Sequence, residues 1–234
     1  MRSKLTALFI CAALSAGSPL QTEKGIRPQI LETGEFHGDE IHARSGQHWL
    51  GLFRAQQGYV LRDVEITVQK VRDFLDDGDD GPMTGKEVNV RGSVQPMFLV
   101  RRAANLRPGP VKTVLDQDTM LSPQMTLRFS IGGNNYELVV ESEKPRQEDI
   151  PWPSEAKIVL RTRGTEQVLQ TIEAGSYDGF SLRWAGDLDG DGKLDLYLTS
   201  GTDSGASSRT LFLSGAASRG RLVEAVAMFY TLGC

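Results

Sequence analysis

Four aspartates fall within nine residues in the C-terminal part of the chain, in the segment Asp-Leu-Asp-Gly-Asp-Gly-Lys-Leu-Asp. Asp187, Asp189 and Asp191 occupy alternate positions, and Asp195 ends the segment. Calcium is bound in proteins by about six to eight oxygen ligands, and a short loop supplies most of them when every second side chain turns inward. The spacing of residues 187–195 therefore predicts a calcium site.

The residues between the aspartates agree with this interpretation. Gly192 stands where the tight turn requires a residue without Cβ. At position 193 a calcium loop uses the backbone carbonyl, here that of Lys193, and Asp195 can ligate directly or through a water. Magnesium keeps more of its waters, and zinc prefers His and Cys ligands, which are missing nearby. The alternative is a solvated acidic turn without a metal, in which the four carboxylates would repel one another.

The flanking residues predict strands on both sides of the loop. An EF-hand loop would carry a bidentate Glu at its twelfth position, but Leu198 stands there. Leu194, Leu196 and Leu198 recur at every second position, which is the periodicity of a strand and not of a helix. We therefore expect a strand, a calcium loop and a second strand.

Residues 184–201 resemble the calcium-binding hairpin of FG-GAP and VCBS-type repeats, in which a GDxDGDGxxDL loop joins two strands of a propeller blade. Residues 208–214 resemble the following strand of such a blade. The resemblance implies oxygen ligands from five residues, namely Asp187, Asp189, Asp191, Lys193 through its carbonyl, and Asp195. It does not imply a propeller, because propellers need several blades and the chain carries a single loop of this kind.

The N-terminal residues 1–17 have the features of a signal peptide. Arg2 and Lys4 give a positive start, residues 5–14 form a short apolar run, and residues 15–17 are small. The alternative is an apolar first helix of the fold. The run is too short to span a bilayer, and no later segment is long enough. We therefore expect a periplasmic or secreted protein, with no integral membrane segment after cleavage.

Charge and cysteine content limit the partners of this chain. Removal of Arg2 and Lys4 from the 26 basic residues, against 30 acidic ones, would change the net charge from −4 to −6. An acidic chain without a basic stripe argues against a nucleic-acid partner. Cleavage would leave Cys234 alone, either buried, capped or paired with another chain, whereas a retained signal peptide would allow a bridge to Cys11.

The rest of the chain predicts a mostly β fold built from antiparallel hairpins in a meander. The hairpins could form two small β regions that divide near residue 122. These regions are 35–122 and 123–234. The clearest hairpins, by alternation and turn chemistry, are 125–141, 156–172 and the calcium hairpin. Residues 59–71 predict one long strand or two short ones, and residues 221–230 predict a strand or a helix.

Two other groups of polar residues in the sequence are candidates for a binding site. The acidic run 76–81 has a poor register for a cation and is interpreted as a solvated turn. The second group contains all three histidines of the chain and could form a metal or acid–base site, although its spacing matches no zinc motif and favours scattered surface polar residues. Its members are Glu35, His37, Asp39, Glu40, His42 and His48.

The sequence assigns no catalytic residue, since no nucleophile elbow, phosphate loop or dinucleotide fingerprint is present. It predicts an exported calcium-binding β protein that acts as a non-enzymatic binding or structural module, with calcium mainly structural. An envelope or secreted protein is the expected partner. The alternative is an envelope hydrolase whose catalytic residues are unrecognised and could lie within residues 35–48.

Overall fold

The computed structural model describes residues 27–73, 75–78, 80–92, 94–142, 156–172, 179–201 and 205–232. Over these residues the chain forms strands and no helix, so the predicted mostly β, antiparallel fold is confirmed. No described helix could therefore cross a membrane. The predicted signal peptide, Cys11 and Cys234 lie outside the described residues.

The described parts of the chain contain sixteen strands. In chain order they are β1 (Gln29–Leu31), β2 (Gly34–Phe36), β3 (His48–Arg54), β4 (Tyr59–Val71), β5 (Gly85–Val90), β6 (Leu99–Arg101), β7 (Gly109–Leu115), β8 (Thr119–Leu121), β9 (Thr126–Ile131), β10 (Asn134–Ser142), β11 (Ala156–Thr162), β12 (Thr165–Ile172), β13 (Phe180–Asp187), β14 (Asp195–Gly201), β15 (Ser207–Leu213) and β16 (Glu224–Thr231).

The strands form one large sheet and one small sheet. The large sheet has 12 strands and follows the path β1-β6-β3-β4-β7-β13-β14-β15-β16, with β2, β5 and β8 paired beside it. Its two end strands, β1 and β16, contact each other, so the sheet curls almost to closure. The small sheet has the order β12-β11-β10-β9. The large sheet joins strands from both sides of residue 122 where β7 pairs with β13, whereas the small sheet lies within 123–234.

Strands β13 and β14 separate two hydrophobic cores. Trp184 and Tyr197, both fully buried, pack into the core inside the large sheet, against Phe98. Leu182 and Leu196 point to the other core, which the small sheet covers. Leu196 and Tyr197 are successive residues and therefore point to opposite faces of β14, whereas in β13 a register shift between Leu182 and Trp184 brings side chains two positions apart to different cores. This hairpin is therefore buried on both faces.

The strand predictions were confirmed in the hairpins and corrected in one place. Residues 59–71 form the single long strand β4, and the hairpins β9–β10 and β11–β12 lie where alternation placed them. The helical interpretation of residues 221–230 is wrong, because this segment pairs with β15 along β16. Ala227, Phe229 and Thr231 are buried at every second position, so the pairing buries an alternating face that a helix would have rotated away.

Candidate metal centre

The acidic segment forms the connection of the β13–β14 hairpin. Asp187 is the last residue of β13, and Asp195 is the first residue of β14, where it pairs with Gly186. Gly190 and Gly192 turn the chain with φ angles of 77° and 80°, which favour glycine. The predicted arrangement of strand, loop and strand is therefore present.

Three of the four aspartates converge. Asp187, Asp189 and Asp195 each place a carboxylate oxygen within 4.8 Å of the others, an arrangement that could hold a metal ion. Asp191 is not part of this group: its oxygens accept hydrogen bonds from the Lys193 N–H at 2.8 Å and the Lys193 Nζ at 3.2 Å. The Lys193 side chain itself is exposed.

One carboxylate oxygen in this group lacks a protein partner. Asp187 Oδ2 accepts the Gly192 N–H at 3.0 Å, but Asp187 Oδ1 is buried without a hydrogen bond among the described residues. A buried acceptor that is neither solvated nor bonded costs free energy, since it has given up its contacts with water. A cation is the kind of group that would satisfy it, so the donor set fits a metal.

Asp195 is the structural centre of the loop. Its side chain is fully buried, and both carboxylate oxygens accept hydrogen bonds from the backbone. Oδ2 accepts from the Leu188 N–H at 2.6 Å, and Oδ1 accepts from the Ser214 N–H at 2.7 Å. Asp195 thus ties the start of the loop to the turn that follows β15.

The negative charge of the loop is only partly balanced by positive side chains among the described residues. Burial, followed by the charge of Asp189, raises the pKa of Asp195 to about 7. Burial and the charge of Asp191 likewise raise the pKa of Asp189. Among the described residues, Lys193 forms an ion pair only with Asp191, the aspartate outside the convergent group. Because each raised pKa reflects a carboxylate that is costly to ionise without a counter-ion, the site is electrostatically suited to a cation.

Two turns from elsewhere in the chain pack against the loop, and the sequence alone did not assign them to the site. Gly215 donates its N–H to Asp189 Oδ2 at 3.1 Å, and a Cβ on Gly215 would lie 2.2 Å from that oxygen. In the β9–β10 turn, a Cβ on Gly132 would lie 1.7 Å from the Gly192 carbonyl oxygen. The glycine pair at 132–133 indicated a turn, but no sequence pattern indicated that this turn would pack against the loop 187–195.

A second group of ligand-type side chains joins two segments that the sequence analysis treated separately. His37 Nδ1 lies 2.6 Å from Asp73 Oδ2 and 3.8 Å from Asp76 Oδ2, and the three side chains could also hold a metal. Here, however, the protein supplies the partners: Asp73 Oδ1 accepts the N–H groups of Leu75 and Asp76. Among the described residues, no carboxylate oxygen of this group is buried without a hydrogen bond. The geometry is therefore that of an ion pair whose polar atoms already have protein partners.

The pKa values of this pair agree with that interpretation. The hydrogen bond to Asp73 raises the pKa of His37 above 6.5. Burial alone would raise the pKa of Asp73, but the hydrogen bonds from His37 and from the backbone of Leu75 and Asp76 outweigh it and lower that pKa. The two groups thus stabilise each other's charged forms.

The three histidines have different surroundings. His48 pairs with the exposed Asp63 at 2.6 Å, and His42 lines a separate cavity, whereas His37 pairs with Asp73. Their nearness in sequence therefore does not produce one shared site.

Comparison with known proteins adds no assignment, as the chain matches no family model, no curated protein and no solved structure. The resemblance to the FG-GAP and VCBS-type hairpin stays a prediction from the sequence.

Proposed function

We propose that residues 187–195 bind calcium and that the ion fixes the hairpin at the junction of the two sheets. Asp187, Asp189 and Asp195 converge already. Asp191, which would exchange its hydrogen bonds with Lys193 for the ion, and the Lys193 carbonyl would complete the set of oxygen ligands. All of the side-chain ligands are carboxylates, the donors that hard cations such as calcium prefer.

The observation that carries this proposal is the buried, unpartnered Asp187 Oδ1 beside Asp189 and Asp195. An acidic turn without a metal would point its carboxylates into water, where each oxygen is solvated. Here one oxygen is withdrawn from both water and protein donors, and the adjacent Asp195 is fully buried. A bound cation accounts for both features.

The role proposed for calcium is structural. The loop contacts the turn after β15 through Asp195 and Asp189, and the β9–β10 turn through Gly192. Neutralising the carboxylates would remove their mutual repulsion and lock these three segments together. Because the converged site exists only in the folded chain, the binding free energy of calcium would add to the free energy of unfolding.

We further propose that the protein is exported and acts as a binding or structural module with an envelope or secreted protein as its partner. Extracellular calcium modules bind at about 10⁻⁴–10⁻³ M, a range that suits those compartments. The hydrolase alternative has less support. The His37–Asp73 pair borders a cavity, but Thr231, the one hydroxyl residue among the described residues that line it, is hydrogen-bonded to Ser207 and Arg209.

Isothermal titration with calcium, and separately with magnesium, tests the proposal. We expect one calcium per chain in the wild type, weaker magnesium binding, and loss of calcium binding in Asp189→Ala. The matched control is Asp76→Ala, which removes an exposed carboxylate from the other acidic group and should bind calcium like the wild type. Loss of binding in Asp76→Ala alone would move the site to the His37 group, and no binding in the wild type would overturn the proposal.

A further inference from the structure

A second cavity lies away from the acidic loop, between β1, the segment 40–49, the end of β6, and β16. Its volume is about 530 Å³, which is in the range of sites for small organic molecules. Three arginines line it, namely Arg44, Arg101 and Arg102.

The three arginines have no acidic partner in the part of the chain that the structure describes. Among the described residues, none of them lies within ion-pair distance of a carboxylate, whereas Arg54, Arg161 and Arg209 elsewhere each have at least one carboxylate partner. The carboxylate that lines the cavity is Glu40, whose two oxygens accept the backbone N–H groups of His37 and Leu232. The lining of the cavity therefore sets three positive charges against the single negative charge of Glu40, which lies beyond ion-pair distance of the arginines, and is net positive.

Arg101 is held in position by neutral groups. Its guanidinium lies 5.2 Å from the centre of the Trp49 ring and donates a hydrogen bond to Gln47 Oε1. Since a guanidinium has five N–H donors, this leaves donors for a ligand. Burial, and then the charge of Arg102, lower the pKa of Arg101, as expected for a cation that lacks a counter-ion.

The backbone at Arg102 brings two consecutive side chains to one cavity. Successive residues of a strand point to opposite faces, so Arg101 and Arg102 would diverge if β6 continued. Instead β6 ends at Arg101, and Arg102 adopts a φ of 62°, a conformation that is uncommon outside glycine and requires support from the surrounding structure. Both arginines consequently line the same cavity.

The rim of the cavity is apolar on the side of β16. Met228 and Tyr230 line the cavity and are 64% and 52% exposed, although both are large hydrophobic side chains. A ligand that fills the cavity would therefore have both the arginines and these two side chains around it.

We propose that this cavity binds an organic anion, with a carboxylate or phosphate head against Arg44, Arg101 and Arg102 and an apolar body against Met228 and Tyr230. Planar guanidinium groups bind both head groups through paired hydrogen bonds, and charge-assisted bonds of this kind are among the strongest in proteins. The proposal is independent of calcium binding and concerns a different part of the fold.

The test is a titration of the full chain, with calcium saturating, with benzoate and phenyl phosphate in parallel. Phenol serves as the neutral analogue and sulfate as the head group alone. The readouts are the binding heat and the NMR signal of the Trp49 indole, assigned with Trp49→Phe. We expect one anion per chain, a shift of the Trp49 signal, and tighter binding of either aromatic anion than of phenol or sulfate. The stronger of the two aromatic anions identifies the head group.

Two variants and one control make the test specific. Arg101→Gln should weaken binding about tenfold or more, as expected for loss of charge-assisted hydrogen bonds. Arg102→Gly removes a guanidinium while supplying the residue best suited to a φ of 62°, so it should weaken binding without lowering the melting temperature. The control is Arg62→Gln, which removes an arginine that lies over the Phe53 ring outside this cavity.

Binding that is unchanged in Arg101→Gln and Arg102→Gly, or weakened equally in Arg62→Gln, would reduce the effect to general charge attraction and overturn the proposal. The absence of binding by both aromatic anions at millimolar concentration would overturn it as well.

Discussion

Asp187 uses its two carboxylate oxygens differently. Oδ2 is bonded by the Gly192 N–H, while Oδ1 of this carboxylate, which converges with those of Asp189 and Asp195, has no hydrogen-bond partner among the described residues. That distinction depends on the φ angles of the loop and on the packing around it, which residue types do not specify.

Asp187→Asn should weaken calcium binding without lowering the stability of the calcium-free protein. The amide keeps an oxygen to accept the Gly192 N–H but removes one negative charge. We expect about a tenfold or greater loss of calcium affinity, equivalent to about 1.4 kcal/mol. In chelator the melting temperature should equal or exceed that of the wild type, because the remaining carboxylates repel one another less. Calorimetry of both proteins with and without chelator measures this, and a variant destabilised equally in both conditions would contradict the proposed role.

His37 should make the stability depend on pH in a defined direction. Its pKa is raised above the usual 6.5, so its contribution to stability is complete below pH 6.5 and is lost as the pH rises through the raised pKa. The pKa of Asp73 is lowered from 3.8, so its contribution to stability is present above pH 3.8 and is lost as the pH falls through the lowered pKa.

Urea unfolding between pH 6 and pH 9, with calcium saturating, tests this expectation. His37→Ala should remove the loss of stability on the alkaline side. His48→Ala should change it less, because the His48–Asp63 pair is exposed and solvent weakens such pairs. Identical pH profiles of the wild type and His37→Ala would show that the pair has no such role.

The hairpins were the elements that sequence patterns predicted best, and their packing was what the patterns left open. Alternating side chains and the Gly132–Gly133 turn predicted β9–β10 within a few residues. The contact of that turn with the Gly192 carbonyl is tertiary and joins residues 60 positions apart in the chain. The helical interpretation of β16 failed for a similar reason, since pairing with β15 outweighed a local pattern that fitted either structure.

Alanine substitutions at the two glycines of this turn would separate the effect of the contact with Gly192 from the effect of backbone strain. Gly132 and Gly133 both have positive φ angles, of 56° and 80°, but only the Cβ of Gly132 would meet the loop 187–195, since a Cβ on Gly133 would have no atom within 4 Å. Both alanine variants should lose stability. Gly132→Ala should lose about 1–3 kcal/mol more than Gly133→Ala, the usual cost of overpacking, and it alone should bind calcium more weakly. Equal effects in urea unfolding and calcium titration would argue against this contact.

The whole molecule depends on contacts that close the large sheet. Glu32, which follows β1, accepts a hydrogen bond from the buried Tyr197 hydroxyl at 2.6 Å. Its other oxygen lies 2.7 Å from Arg209 Nε, a close ion pair although its angle is poor for a hydrogen bond. This contact joins the N-terminal segment to β14 and β15 across 165 positions in sequence, and only the folded topology reveals it.

Glu32→Ala should therefore destabilise the entire fold. It would leave the Tyr197 hydroxyl buried without its acceptor and Arg209 without its counter-ion, at a cost of about 2–4 kcal/mol. Glu32→Gln should lose less, because an amide oxygen can still accept from Tyr197. The matched control is Glu35→Ala, which changes the exposed residue of β2 and should stay within about 0.5 kcal/mol of the wild type in urea unfolding. Equal stability of Glu32→Ala and the control would contradict the closing role of this contact.

The most direct test of the central claim is thermal unfolding of the wild type and Asp189→Ala, each with millimolar calcium and with chelator. If calcium fixes the junction of the two sheets, it raises the melting temperature of the wild type, with an increment that grows with calcium concentration, and this rise is absent in Asp189→Ala. The same melting temperature for the wild type in calcium and in chelator would contradict a structural calcium site in residues 187–195.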